Sequence, residues 1–322
     1  MARETTSDGA VVPKGALGGI GNTPIVELQR VVPSGSARIL LKLEWANPTG
    51  SMKDRMARSA ILAAAADGRL EPGDTVVEYT AGTTGVSLAF VCAALGYRLH
   101  VVFSDAFSVE KRRTMTAFGA TIEDVRSDEG RINETLIKAM IARAGEVSRQ
   151  PGHWWCDQLN NRDGETGYLP IGHEIWAQTG GDVTAFVHSV GTAHSIHGVT
   201  HALRSHRPEI SGFAVEPAES AVLSGGPSGS HGIEGIGIGF TPPLWQPELV
   251  DGIEAVSTAD AWAMARRLAR EEGLFAGAST GANVVAALRV AERLGSGATV
   301  VTIACDSGLR YLSTGLYRED PA

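Results

Sequence analysis

The chain has 322 residues, enough for a sizeable core and about two domains. Hydrophobic residues make up 43% and charged residues 20%, the balance of an ordinary soluble globular protein. A net charge of −8 argues against a nucleic-acid or anionic-membrane partner, and no apolar run approaches the roughly 20 residues of a membrane span.

Residues 1–12 lack the apolar core of a secretory signal and read as a loose tail. Beyond them, apolar runs predict strands at 39–45, 75–79, 99–103, 121–125, 185–190, 212–216 and 298–304. Between them, helix-length amphipathic runs fall at 53–67, 84–95, 108–118, 131–147, 165–179, 195–206, 258–272 and 281–294, with Gly or Pro at most joins. This alternation predicts an α/β fold with mostly parallel sheet covered by helices on both faces. No repeat at a solenoid period is present. Residues 220–232, with Gly225-Gly226-Pro227-Ser228-Gly229-Ser230, predict a mobile surface loop.

Three cysteines, Cys92, Cys156 and Cys305, with no CxxC pair, fit a reducing cytoplasm without a disulfide framework. His153, Cys156, His194 and His197 match no common metal-ligand spacing, so no metal is expected.

The densest chemical signal is Lys42-Leu43-Glu44, then Asn47-Pro48-Thr49-Gly50-Ser51-Met52-Lys53-Asp54-Arg55. Loop chemistry delivers Lys53 to the start of an alanine-rich helix. A helix N-terminus and burial both disfavour an ammonium, and a lysine so perturbed can form a Schiff base. Three strand-to-helix turns accompany it: Thr80-Ala81-Gly82-Thr83-Thr84-Gly85, Gly191-Thr192-Ala193-His194-Ser195-Ile196-His197-Gly198 and Gly277-Ala278-Ser279-Thr280-Gly281-Ala282-Asn283. Free backbone N–H groups at such turns bind anions. Each also reads as a plain tight turn, with Ser279 as a helix cap.

Together these segments resemble the cysteine synthase (O-acetylserine sulfhydrylase)/cystathionine β-synthase family of pyridoxal-phosphate (PLP) enzymes, of fold type II. The lysine segment matches that family's K-L-E-x-x-N-P-x-x-S-x-K-x-R. Gly21-Asn22-Thr23-Pro24, Gln158-Leu159-Asn160-Asn161, the stretch His231 to Phe240, and Gly308 with Arg310 to Thr314 are similar to further family segments; Leu309 departs from them. The resemblance spans about 20 to 314.

The resemblance implies two α/β domains like those of tryptophan synthase β, with PLP in the cleft between them. The larger domain would comprise 13–46 and 158–322, and the smaller, mobile one 47–157, closing over substrate. Lys53 would hold PLP and act as the catalytic base. Thr80, Ala81, Gly82, Thr84 and Gln158 would bind the substrate carboxylate, and Gly235 would line the cofactor face. Gly191, Thr192, Ala193, His194 and Ser195 would form the phosphate cup. Ser279 would bond the pyridine nitrogen, leaving the ring a weaker electron sink than a carboxylate partner would. The family loop reads T-S-G-N-T-G, so Ala81 and Thr83 depart from it; Thr83 stands where the family asparagine lies beside the ring hydroxyl. Ala193 and His194 replace two cup glycines, which strains the backbone wherever φ must be positive. His194 either adds a charge-assisted contact to phosphate or faces solvent, and both readings stand.

The activity so implied is β-replacement on an activated serine, by default O-acetylserine plus sulfide giving cysteine and acetate, through an α-aminoacrylate intermediate. The absence of an arginine in 217–240 disfavours a phosphate leaving group. The alternatives are a β-elimination lyase or dehydratase, a synthase using another nucleophile for a specialised amino acid, and a relative that binds without turnover. The partners implied are a small amino acid, a small nucleophile and a second copy in a homodimer.

Overall fold

The computed structural model describes residues 15–130 and 132–318. The tail read at 1–12 lies outside the described residues. Among the described residues, ten strands form two sheets. The first holds β1 (Ile25–Glu27), β2 (Arg38–Leu43), β7 (Ala185–Ser189), β8 (Ser211–Pro217), β9 (Gly252–Val256) and β10 (Thr299–Ala304), in the order β1-β2-β10-β7-β8-β9. The second holds β3 (Thr75–Tyr79), β4 (Arg98–Ser104), β5 (Thr121–Val125) and β6 (His153–Trp155), in the order β5-β4-β3-β6. Every pairing is parallel except that of β1 with β2. Central strands β3, β7 and β10 are buried at every residue, the pattern of parallel strands covered on both faces.

The helices are α1 (Lys53–Ala66), α2 (Thr83–Leu95), α3 (Val109–Ala117), α4 (Glu134–Val147), α5 (Asp163–Thr166), α6 (Leu169–Thr179), α7 (His194–His206), α8 (Thr258–Arg267) and α9 (Ala278–Leu294). The single helix expected at 165–179 is two. α6 restarts with Pro170 in its first turn, where the missing N–H costs no intrahelical bond. The helix expected at 258–272 closes with a π turn over Leu268–Glu272. Trp45, expected in a strand, sits in the 3₁₀ turn Glu44–Ala46. Residues 220–232 hold no helix or strand beyond Ser220, the end of a 3₁₀ turn, and the Glu216 carboxylate accepts from Leu223 N, Ser224 N and Ser224 Oγ, tying down their first half.

One buried charge cluster locks these layers. The Arg55 guanidinium, 1% exposed, grips Glu44 through Nε and Nη2 at 2.8 Å each and Glu174 through Nη1 and Nη2 at 2.8 Å each. Lys42 on β2 meets Glu174 on α6 at 2.7 Å and donates to Thr23 O and Gln178 Oε1. Thr23 Oγ1 and Asn47 Nδ2 complete the Glu44 carboxylate. Two cations face two anions with their hydrogen bonds filled, the condition under which buried charge is tolerated.

Burial alone would raise the Glu174 carboxyl, but hydrogen bonds and charge from Arg55, then Lys42, hold it at about 2, below its ordinary 4.5. A carboxyl lowered on folding adds stability that is full above the unfolded value and lost as pH falls through the folded one. Glu174→Gln should therefore unfold more easily than wild type at pH 7, by about 2 kcal/mol after discounting for solvent at its open edge. That gap should close as pH drops from 5 towards 2; urea midpoints measured across this range check it.

Candidate active site

The C-terminal ends of β3, β7 and β10 open onto one cavity, lined by Tyr79, Thr80, His188, Ser189, Cys305 and Asp306 among others. Open parallel sheets characteristically bind ligands there. Four helices start at or beside this wall: α1 at Lys53, α2 at Thr83, α7 at His194 and α9 at Ala278.

Lys53 is the first residue of α1 and lines the cavity. Its pKa lies below the ordinary value, chiefly from burial, against opposing pulls from Cys305 and Asp306. Its side chain is half-buried because the tip looks into the cavity while protein surrounds the rest. Among the described residues it forms no ion pair. The contrast with Lys42 is instructive, since that side chain is fully covered and has three partners.

The Thr80–Gly85 turn wraps the start of α2. Thr80 Oγ1 accepts from Gly82 N at 2.9 Å and from Gly85 N at 3.3 Å. Among the described residues, the N–H groups of Ala81, Thr83 and Thr84 have no such acceptor, and all three residues line the cavity. Gly82 takes φ 117°, and its Cα faces the Lys111 stem so closely that an added Cβ would lie 2.4 Å from it; only glycine fits both demands. Thr84 Oγ1 donates to Gln158 Oε1 at 2.8 Å, and Gln158 Nε2 donates to Tyr79 O at 2.9 Å. Thr83 Oγ1 donates to Asp306 Oδ2 at 3.3 Å, so this departure from the family pattern ties the turn to the far wall.

At the start of α7, Gly191, Thr192 and Ser195 line the same cavity. Gly237 N donates to Val190 O at 3.0 Å, bringing the 231–239 segment, with Gly235, against this turn. Ala193 has φ 73°, the left-handed region that costs a side chain with Cβ about 1–2 kcal/mol. His194 does not face solvent. It is buried, and its Nε2 donates to Asn161 O at 2.9 Å while Nδ1 lies 3.1 Å from Thr192 Oγ1. Burial drives its pKa down to about 4, so the imidazole of the free chain is neutral.

Ser279 is 4% exposed and lines the cavity. It is not the cap of α9, which is Gly277. The Cys305 thiol beside it is pushed up to about 11, first by burial and then by Asp306. The cavity thus gathers Lys53, Thr80, Ala81, Thr83, Thr84, Gln158, Gly191, Thr192, Ser195, Gly235 and Ser279. Gly82, Ala193 and His194 support it from behind. The residues weighed as metal ligands are engaged separately: His153 with Pro151 O, and His197 with Gln246 N.

Several cavity residues escaped sequence reading. Lys111 on α3, 1% exposed, forms an ion pair with Glu234 and stands 4.4 Å over the Tyr311 ring. Tyr311 OH donates to Asp306 Oδ2 at 2.8 Å. Lys111 and Glu234 are 123 positions apart; Lys111 sits in no marked motif, and Glu234 falls at an unspecified position of the His231–Phe240 stretch. His188 lies inside an apolar strand run, where its signal was a lone imidazole among buried neighbours.

The family described as pyridoxal-phosphate dependent enzymes matches residues 16–306. A cysteine synthase of Staphylococcus aureus is 41% identical over 94% of this chain and 96% of its own length. The crystal structure of O-acetylserine sulfhydrylase isoform 3 from Entamoeba histolytica matches with a TM-score of 0.90 at 38% identity, covering 100% of this chain and 96% of that one. A crystal structure of O-ureido-L-serine synthase gives 0.89 at 37% identity, covering 95% of both chains.

The strain at Ala193 has a measurable consequence. Ala193→Gly forfeits a buried methyl, about 0.8 kcal/mol, but relieves a left-handed conformation costing about 1–2 kcal/mol. Chemical denaturation should show the variant as stable as wild type or more stable by up to about 1 kcal/mol.

Proposed function

The chain belongs to the pyridoxal-phosphate dependent enzymes, and from that premise we propose that it makes cysteine by β-replacement, with sulfide taking the place of acetate on O-acetylserine. The observation that carries this reading is Lys53, an unpaired lysine of lowered pKa that shares one cavity with the starts of α2 and α7.

The residues present fit the cofactor. The first turn of α7 offers unpaired N–H groups and the hydroxyl of Ser195 for a phosphate. Lys53 would hold the group covalently, and the buried Ser279 hydroxyl would meet its ring nitrogen. Bound pyridoxal phosphate supplies an electron sink for negative charge developing at the substrate Cα. The free N–H groups of Ala81, Thr83 and Thr84 bind and orient the substrate carboxylate, with Gln158 behind them. Lys53, once released, takes the Cα proton and later returns it; a lowered pKa leaves more of it in the basic form at neutral pH. Gly235 and its segment cover the cofactor face.

The four-stranded sheet falls wholly within 47–157 and the six-stranded sheet within 13–46 and 158–322, which supports the two-domain reading. Closure of the smaller domain would exclude water from the reacting centre. A cytoplasmic homodimer is part of the same reading, and a native mass of twice the chain would support it.

A second nucleophile is the runner-up, favoured by the Ala81 methyl where the family has a hydroxyl and by the Thr83–Asp306 contact. The Ala81→Ser, Thr83→Asn double variant should raise the sulfide reaction several-fold over wild type if these two residues have retuned the site. Unchanged steady-state rates would mean that neither matters.

The decisive test is the visible absorption of the PLP-loaded protein, alone and with O-acetylserine. Wild type should show a cofactor band that shifts on adding O-acetylserine, with cysteine appearing once sulfide is present. Lys53→Ala should lose that band and at least about 10³-fold in turnover. Keto acid formed without sulfide would instead establish elimination.

A further inference from the structure

We propose that His188 is a positioning residue for the cofactor phosphate: its Nε2–H donates to Ser195 Oγ and so leaves the Ser195 hydroxyl proton free for that phosphate. The inference rests on the reading of the α7 turn as the phosphate site and goes beyond it, by deciding which hydroxyl of the turn donates.

The argument starts at Asn283. Its Oδ1 accepts from Ser189 N at 2.8 Å, and a backbone N–H can only donate, so the amide orientation is set. The amide nitrogen then faces Ile303 O at 2.9 Å, His188 Nδ1 at 3.3 Å and, further off, Cys305 Sγ at 3.4 Å. That nitrogen is a donor, so His188 Nδ1 must be the bare, accepting one. Burial, and then the nearby Lys53, hold the imidazole neutral, with its pKa down at about 3. A neutral ring carries one proton, which therefore sits on Nε2. Ser195 Oγ lies 2.9 Å away and accepts it. Its own O–H has no acceptor among the described residues, and Ser195 lines the cavity. A hydroxyl that already accepts a hydrogen bond is a better donor.

The neighbouring hydroxyl is set the opposite way. Asn161 O can only accept, so the proton of neutral His194 is on Nε2. Nδ1 is then bare, and Thr192 Oγ1, at 3.1 Å, must give its proton to it. Thr192 turns lone pairs towards the cavity, the wrong polarity for a phosphate. Two neutral histidines thus sort two adjacent hydroxyls into one donor and one acceptor.

The test is PLP affinity, read by equilibrium dialysis of the stripped protein, with the ³¹P shift of the bound phosphate as a second readout. Ser195→Ala should weaken PLP about tenfold or more, the range for a hydrogen bond to a charged group. His188→Leu should weaken it less, but by nothing further in the Ser195→Ala background, because His188 acts through Ser195. His188→Gln, which keeps a donor on a side chain of similar reach, should recover most of the loss and the wild-type ³¹P shift. Thr192→Val should cost at most about threefold. Additive effects of His188→Leu and Ser195→Ala would overturn the proposal, as would a Thr192→Val loss equal to that of Ser195→Ala. The Thr192 and Ser195 comparison stands even where His188→Leu does not fold. A wild-type chain that binds no PLP would overturn the cofactor reading itself.

Discussion

The grip of Arg55 on Glu44 and Glu174 is the constraint on which the site depends. It joins the end of β2, the first turn of α1 and the body of α6 in one neutral cluster of buried charges. Such a cluster contributes little net stability over an apolar replacement, yet removing one member strands an uncompensated charge and is costly. That asymmetry makes it a stiff joint. Lys53 lies two residues before Arg55, so its backbone is held where the joint puts it, while its side chain is left without an ionic partner. Stiffness behind and freedom in front are what a covalent and proton-moving lysine requires.

Parallel topology supplies the rest. Parallel β–α units bring a helix N-terminus to the carboxyl end of its strand, and here β3 feeds α2 and β7 feeds α7 on facing walls. Unpaired N–H groups therefore converge on the cavity from both sheets without any dedicated cationic side chain. A chain of net charge −8 can thereby still present anion-binding N–H groups to its cavity. The local field is built from backbone dipoles, Lys53 and the Lys111–Glu234 pair, and the global charge does not enter.

Much of this was legible. Long buried strands such as β3 and β10 announce themselves as apolar runs, and Lys53 is marked by its loop and helix. β1, β6 and β9 were missed because the first two have three residues each and all three are partly exposed, which erases both the run and the alternation. The burial of His194 was not legible because it packs on the Asn161–Gly164 segment, where Asn161 O takes its Nε2–H and a Cβ on Gly164 would sit only 3.0 Å from its ring. No local pattern records that fit. The Lys111–Glu234 pair was invisible for the same reason, being a contact between α3 and the 231–239 segment.

The departures from the family motifs fall on two separate walls, and they differ in kind. At α7, Ala193 and His194 stand where the family motif has glycines: Ala193 takes the left-handed backbone, and His194 turns back into the core. The change there is in proton placement on the hydroxyls. At α2, Ala81 removes a hydroxyl from the cavity wall, and Thr83 reaches across to Asp306, which also holds Tyr311, under the Lys111 ammonium. The change there is in what the substrate end of the cavity presents. On the proposed reading, the first change bears on the cofactor end of the cavity, and the second, beside a carboxylate, a phenol and a buried cation, bears on the end that the substrate and nucleophile would meet.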